Sequence, residues 1–310
     1  MPHFTHFRDR VSGEPGARFA PAAGRYHLYV MYGCPWAHRT VIVRRLKGLE
    51  SAIGMTALHH HLIEGQGWTF APERRDPLYG LQRLRQRYDM ASPGHECRIT
   101  VPVLWDTQER TNVNNESADI VRMLGSEFDA HAGNPGLDLY PIGQREHIDF
   151  WNARIQDAVN EGAYTAGLTN DQAVYEQAAR FFFDRLQELD DHLAQHRLLT
   201  GDSPTEADWR LFPTLIRLEW VYRGLFKLDR KRLVDHPNLF AYARELYQWP
   251  GIADTVSVWH TRHGYWPSLT RLNPSGIVPL GPDVNFLAPH GRATSSVAHR
   301  HRRQDRTSQA

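Results

Sequence analysis

A change of periodicity near residue 143 divides the sequence into two textures. Before it, short runs rich in β-branched and aromatic residues alternate with short helical patterns. After it, apolar residues recur at helical spacing through long segments, with no clear strand. This order predicts a small α/β unit followed by an all-helical one. The boundaries read as an N-terminal arm over 1–25, an α/β domain over 26–135, a helical domain over 140–270, and an extended segment with a basic tail over 271–310. With 310 residues, 41% of them hydrophobic, the chain is long enough to bury a core in each unit.

Within the first unit, the run RYHLYV has strand character, because Tyr and Val favour pleated backbone. Residues 36–49 follow as a helical pattern with Val41, Leu46 and Leu49 among its apolar positions. Residues 55–63, MTALHHHLI, read as a second strand. Residues 99–105, ITVPVLW, read as another, interrupted by Pro102. Residues 116–124 read as a short helix capped by Asn115. The stretch up to about residue 97 is irregular and then rich in arginine. In the second unit, helices are predicted near 144–160, 171–196, 206–222 and 236–248. Thr205-Glu-Ala-Asp208 has the pattern of a capping box.

The formal net charge of +1 argues against a dedicated nucleic-acid binder. Two cysteines make no disulfide framework and point to a reducing compartment. No apolar run approaches the ~20 residues of a membrane span, and the first residues lack the apolar core of a leader. The expectation is a cytoplasmic protein that does not enter membranes.

Chemistry concentrates at YVMYGCPWAHRT, residues 29–40. A thiol at the first turn of a helix meets unpaired amides and the positive end of the dipole, which lower its pKa and favour the thiolate. Pro35 suits the first helical position, where its missing donor costs nothing. His38 and Arg39 would add positive charge. Cys34 is thus a candidate nucleophile; the competing reading is a buried cysteine serving as a small apolar side chain. No second cysteine lies two residues on, so a mixed disulfide formed here would need an outside thiol to resolve it.

Two further motifs stay open on their residues alone. Val101-Pro102 reads either as a cis bond that leaves the Val101 backbone free for an extended ligand, or as an edge-strand kink. Asn115-Glu116-Ser117 reads either as a grip on an amino-acid head group or as ordinary capping. In the first case the amides and the Ser117 hydroxyl would take a carboxylate, and Glu116 an ammonium. His59-His60-His61 suggests a metal tract, but neighbours on a strand face opposite sides and no acid or thiol accompanies them, so no metal is expected. Cys97 has no motif that would make it a resolving thiol. The arginine-rich tail reads as solvated.

The order of strand, CPWA-type helix, Val-Pro strand, Glu-Ser helix and helical domain resembles the glutathione transferases. It implies a thioredoxin-like N-terminal domain and an all-helical C-terminal domain. The finer resemblance is to the xi class, the glutathionyl-hydroquinone reductases. It is carried by CPWAHRTVIVRRLKGLE, GWTF, RITVPVLWD, NESADIVRML, GAYTAG, LTGDSPTEADWRLFPTLIR, the run from Phe226 to Ile252, and LNPSGIVPLGP.

That resemblance implies reduction of glutathionyl-hydroquinones, with glutathione as cosubstrate, no metal, and a homodimer. It makes Cys34 the nucleophile and assigns Trp68, Val101, Glu116 and Ser117 to glutathione, with Arg98 as a candidate for one of its carboxylates. It places Tyr164 and Tyr265 at the hydroquinone pocket, where a phenol can act as an acid; packing with a bonded hydroxyl is the competing reading.

The chain departs from the family at Gly264, where a histidine is usual, at Trp266, where Tyr or Phe is usual, at Leu269, and at Asn114. Lysine occurs only at Lys47, Lys227 and Lys231. This arginine bias accompanies GC-rich genomes, some of whose lineages use another low-molecular-weight thiol. The rival functions are a thioltransferase acting on mixed disulfides and a non-catalytic binding protein of the same fold.

Overall fold

The computed structural model describes residues 7–63, 65–95 and 98–292. Cys97 and the tail beyond Arg292 lie outside the described residues. The first unit is built on β1 (Tyr26–Val30), α1 (Pro35–Leu46), β2 (Ile53–Ala57), α2 (Leu84–Ala91), β3 (Val103–Asp106), β4 (Thr111–Asn114) and α3 (Ser117–Ser126). The strands form one sheet in the order β2-β1-β3-β4. β1 and β2 run parallel, so a crossover is required between them, and α1 supplies it. β3 is antiparallel to β1, and β4 to β3. All five residues of β1 are buried, as expected for a central strand covered on both faces.

Several element ends differ from the sequence reading. α1 stops at Leu46 rather than 49, because Gly48 adopts a left-handed conformation and turns the chain. β2 ends at Ala57, since β1 ends at Val30 and offers no further ladder. The three histidines therefore leave the sheet. β3 begins only at Val103, after a cis Val101–Pro102 bond. The cap of α3 is Glu116, whose carboxylate accepts from the Ala118 amide at 3.2 Å, and not Asn115. Asn115 instead donates to Tyr88 Oη and Thr100 Oγ1. β4 and α2 had no sequence signal strong enough to claim them: TNVN is short and polar, and LRQRYDMA has few apolar positions.

The second unit comprises α4 (Arg145–Ile155), α5 (Gly162–Leu168), α6 (Gln172–Gln195), α7 (Glu206–Arg217), α8 (Arg223–Leu225), α9 (Pro237–Tyr247) and α10 (Val258–Tyr265). Turns of π-helix follow α4 over Gln156–Glu161 and α7 over Leu218–Tyr222. The capping box at α7 is present. Asp208 Oδ2 accepts from the Thr205 amide at 2.7 Å, and Oδ1 accepts from the Leu199 amide and from Tyr242 Oη.

α1 is a main contact between the units, packed on α3 of the first and α7 of the second. Buried Lys47 ties the linker down through the carbonyls of Pro135 and Leu137. The C-terminal segment packs as an extended strap. Phe286 is buried against Trp220, Phe240 and Tyr247, and Arg292 pairs with Glu245 at 3.1 Å.

Candidate active site

Cys34 is the N-cap of α1, with Pro35 just inside the helix. Its Sγ accepts from the Ala37 amide at 3.5 Å and donates to the Val101 carbonyl at 3.7 Å. The placement matches the sequence reading, but the direction of the thiol pKa does not. Burial pushes the Cys34 thiol up, against the Ala37 and Trp36 amides and the guanidinium groups of Arg217 and Arg39, which pull it down. A helix terminus favours a thiolate only as far as desolvation leaves room for it.

His38 adds no charge, another departure from expectation. It is fully enclosed, and burial together with Arg217 holds it well below the usual histidine range. Its tautomer follows from its partners. Thr255 Oγ1 donates to the Ile252 carbonyl, so it accepts from His38 Nε2–H at 2.9 Å. Nδ1 is then bare and faces Arg217 Nη1 at 3.3 Å. Arg39 is also buried. Its guanidinium donates to Asn160 Oδ1 at 2.7 Å, to Gln156 Oε1 at 3.3 Å and to Ser117 Oγ at 3.4 Å. Burial pulls its pKa down to about 9. Gln156 and Asn160 stand on the first π-helical turns, a type of element often found at functional sites.

The helical domain closes the site with tyrosines. Tyr164 on α5 and Tyr265 on α10 share a short hydroxyl–hydroxyl bond, and the Trp36 ring lies 4.6 Å from the Tyr164 ring. Tyr222, on the second π-helical turns, stacks on Phe226, and its hydroxyl faces those of Tyr164 and Tyr265. The charge of a Cys34 thiolate would be felt by all three, and burial pushes each phenol up, so they remain protonated donors. The resemblance points to Tyr164 and Tyr265, while Tyr222 and Arg217 carry no sequence signal. Both lie in helical runs where burial alone would explain them.

The residues expected to hold glutathione are brought together unevenly. Val101 is buried beside the thiol, with its carbonyl taken by Sγ–H. Ser117 is buried and reached by Arg39. The Glu116 amide, expected to face a carboxylate, donates to Asn114 Oδ1 at 2.7 Å, so the departure at Asn114 occupies it. Trp68 is half-buried on the loop after β2 and packs on the core. Arg98 is exposed, and among the described residues no hydrogen bond or ion pair fixes its side chain.

Models of the glutathione S-transferase N-terminal and C-terminal domains match residues 33–127 and 172–245. Glutathionyl-hydroquinone reductase YqjG of Escherichia coli K12 is 44% identical over 290 residues, 91% of this chain and 88% of its own. Glutathionyl-hydroquinone reductase PcpF of Sphingobium chlorophenolicum is 41% identical over 282 residues, 90% of each chain. A xi-class structure from Natrialba magadii superposes with a TM-score of 0.90 at 45% identity, covering 92% of this chain and 88% of that one. The chain belongs to the xi class of glutathione transferases. The glutathione-bound structure of YqjG, at 42% identity and a TM-score of 0.89, covers 93% of this xi-class chain and 96% of its own.

Two further contacts border this xi-class site. A Cβ on Gly264 would lie 2.4 Å from Met31 Cε and 3.0 Å from the His60 carbonyl oxygen, so a side chain at this position would have to displace its neighbours. Of the three histidines beyond β2, His60 makes an aromatic contact with α10: its ring lies 4.5 Å from Trp259 and 5.7 Å from His260. Among the described residues no group of histidines, cysteines and acids has the arrangement of a metal site. No described helix is long and apolar enough to cross a membrane.

Proposed function

We propose that the protein is a glutathionyl-hydroquinone reductase acting through a mixed disulfide on Cys34. The Cys34 thiolate attacks the glutathionyl sulfur of the substrate. The bond from that sulfur to the aromatic carbon breaks, its electron pair goes to the ring, and the ring carbon takes a proton from a tyrosine hydroxyl. The hydroquinone leaves, reduced by two electrons. A second glutathione attacks the mixed disulfide, frees Cys34 and departs as glutathione disulfide, while its proton restores the tyrosine. What carries the reading is Cys34 at the start of α1, near enough to Tyr164 and Tyr265 for its charge to bear on both phenols, in a chain with reductase relatives over nine-tenths of its length.

Tyr164 and Tyr265 are well suited to give that proton, since their raised pKa keeps them protonated. Trp68, Val101, Glu116 and Ser117 are the proposed glutathione contacts, with exposed Arg98 able to swing toward a carboxylate. The reading includes a homodimer in the cytoplasm and no metal.

The test is turnover of a glutathionyl-hydroquinone with glutathione by wild type, Cys34→Ala and Tyr265→Phe. Expected are complete loss in Cys34→Ala and a loss of about a hundredfold in Tyr265→Phe, the usual scale for an acid. Hydroquinone release only when another cellular thiol is supplied would keep the chemistry and change the cosubstrate. No release by folded wild type with any thiol would sink the reading and leave disulfide exchange or binding.

A further inference from the structure

We propose that Arg217 is a positioning residue for the thiol step: it clamps the turn that presents Cys34 and supplies the cation that a partly buried thiolate needs. Arg217 is the last residue of α7 and is 1% exposed. Its donors cross between the domains. Nε donates to the Gly33 carbonyl at 2.7 Å and Nη2 to the Tyr32 carbonyl at 2.8 Å. Nη1 donates to the Pro213 carbonyl at 2.7 Å and faces His38 Nδ1 at 3.3 Å. The two residues it grips immediately precede the nucleophile.

Among the described residues no carboxylate pairs with this guanidinium, which is unusual for a buried charge. Neutral acceptors hold it instead, and the tautomer of His38 is fixed so that a bare nitrogen faces it. A buried cation without an anion favours any nearby group that can become one. Of the groups facing Cys34, Tyr164, Tyr222 and Tyr265 are held protonated, and Arg39 is the other cation, partly offset by Glu116. The thiol is the group left to ionise, and Arg217 ranks first among the charges that favour its ionised form. A fork of donors on two adjacent carbonyls is also something lysine cannot reproduce.

The inference rests on Cys34 as the nucleophile, so its test reads Cys34 itself rather than turnover alone. The rate of alkylation by iodoacetamide is followed against pH on the full chain, by mass spectrometry of the Cys34 peptide, for wild type, Arg217→Gln and Arg217→Lys. Thermal melts show whether each variant is folded. In Arg217→Gln the midpoint should move up by about one pH unit or more, which slows alkylation at pH 7 about tenfold. Arg217→Lys should keep the midpoint within about half a unit and still lose about tenfold in kcat, because charge is retained and the clamp is not.

A folded Arg217→Gln with an unchanged midpoint overturns the electrostatic role. Should Arg217→Gln fail to fold, Arg217→Lys decides: wild-type kcat in it overturns the clamp, and a midpoint raised by a full unit overturns the charge argument. Loss of the reductase reading would show instead as no hydroquinone release by folded wild type with any thiol, with the alkylation comparison untouched.

Discussion

Gly264→Ala should destabilise the protein and disturb the thiol turn, although alanine is the better helix former. The added Cβ would lie 2.4 Å from Met31 Cε and 3.0 Å from the His60 carbonyl oxygen. The first contact can be relieved by rotating the end of Met31; the second is backbone and yields by only a few tenths of an ångström. Overpacking of this kind costs about 1–3 kcal/mol. The helix propensity of alanine over glycine offsets up to about 1 kcal/mol, less at the penultimate residue of α10. A net loss of about 1–2 kcal/mol follows.

Moving Met31 has a second effect, because its sulfur accepts from the Gly33 amide at 2.8 Å, one residue before Cys34. Urea unfolding of wild type, Gly264→Ala, Met31→Ala and the double variant gives the coupling directly. The alanine at 264 should cost about 1 kcal/mol less when Met31 is already truncated, and kcat/KM should fall several-fold in Gly264→Ala alone. If Gly264→Ala is as stable as wild type, and additive with Met31→Ala, the close approach of α10 to the thiol turn is wrong.

Two further outcomes are expected. Without glutathione, alkylation of Cys34 should have a midpoint above the ~8.5 of a free thiol, because burial pushes this thiol up; the rate climbs as pH rises, and a midpoint below that value would contradict the balance described here. Asp208→Ala removes the acceptor shared by the Thr205 and Leu199 amides and Tyr242 Oη, all buried. Orphaned buried donors cost about 1–3 kcal/mol each, partly recovered because burial already raises the Asp208 pKa; a net loss of about 3 kcal/mol should appear in the urea midpoint, and one under about 1 kcal/mol would count against a structural role for the box.

The sequence was most legible where periodicity and punctuation agreed. α6 and α9 have long apolar stripes, and the spacing alone places both within about a residue at each end. The box at Thr205 and Asp208 is a four-residue pattern with a single physical meaning, and it is present. Cys34-Pro35 placed the start of α1 for the same reason. Reading failed where an element depends on a partner rather than on its own residues. β2 stops where β1 stops, so no feature of MTALHHHLI could end it. Asn115 looked like a cap but has Tyr88 and Thr100 within reach, and Glu116 took the helix end instead.

The site failed in the same way at the level of charge. The helix start, the thiol and the two basic neighbours all lie within six residues, and local rules summed them to an acidic thiol. Burial reverses the sum, since the first cause acting on Cys34, His38 and Arg39 alike is desolvation. The histidine becomes a neutral acceptor, and Arg39 is turned toward Asn160. The charge acting most strongly in favour of the Cys34 thiolate comes from 183 positions later, at Arg217, brought in by the packing of α7 on α1. A helical domain that contributes both that cation and the facing tyrosines is part of the thiol's environment rather than a cover over it. Substitutions along α7 that leave Cys34 untouched are therefore expected to change its reactivity.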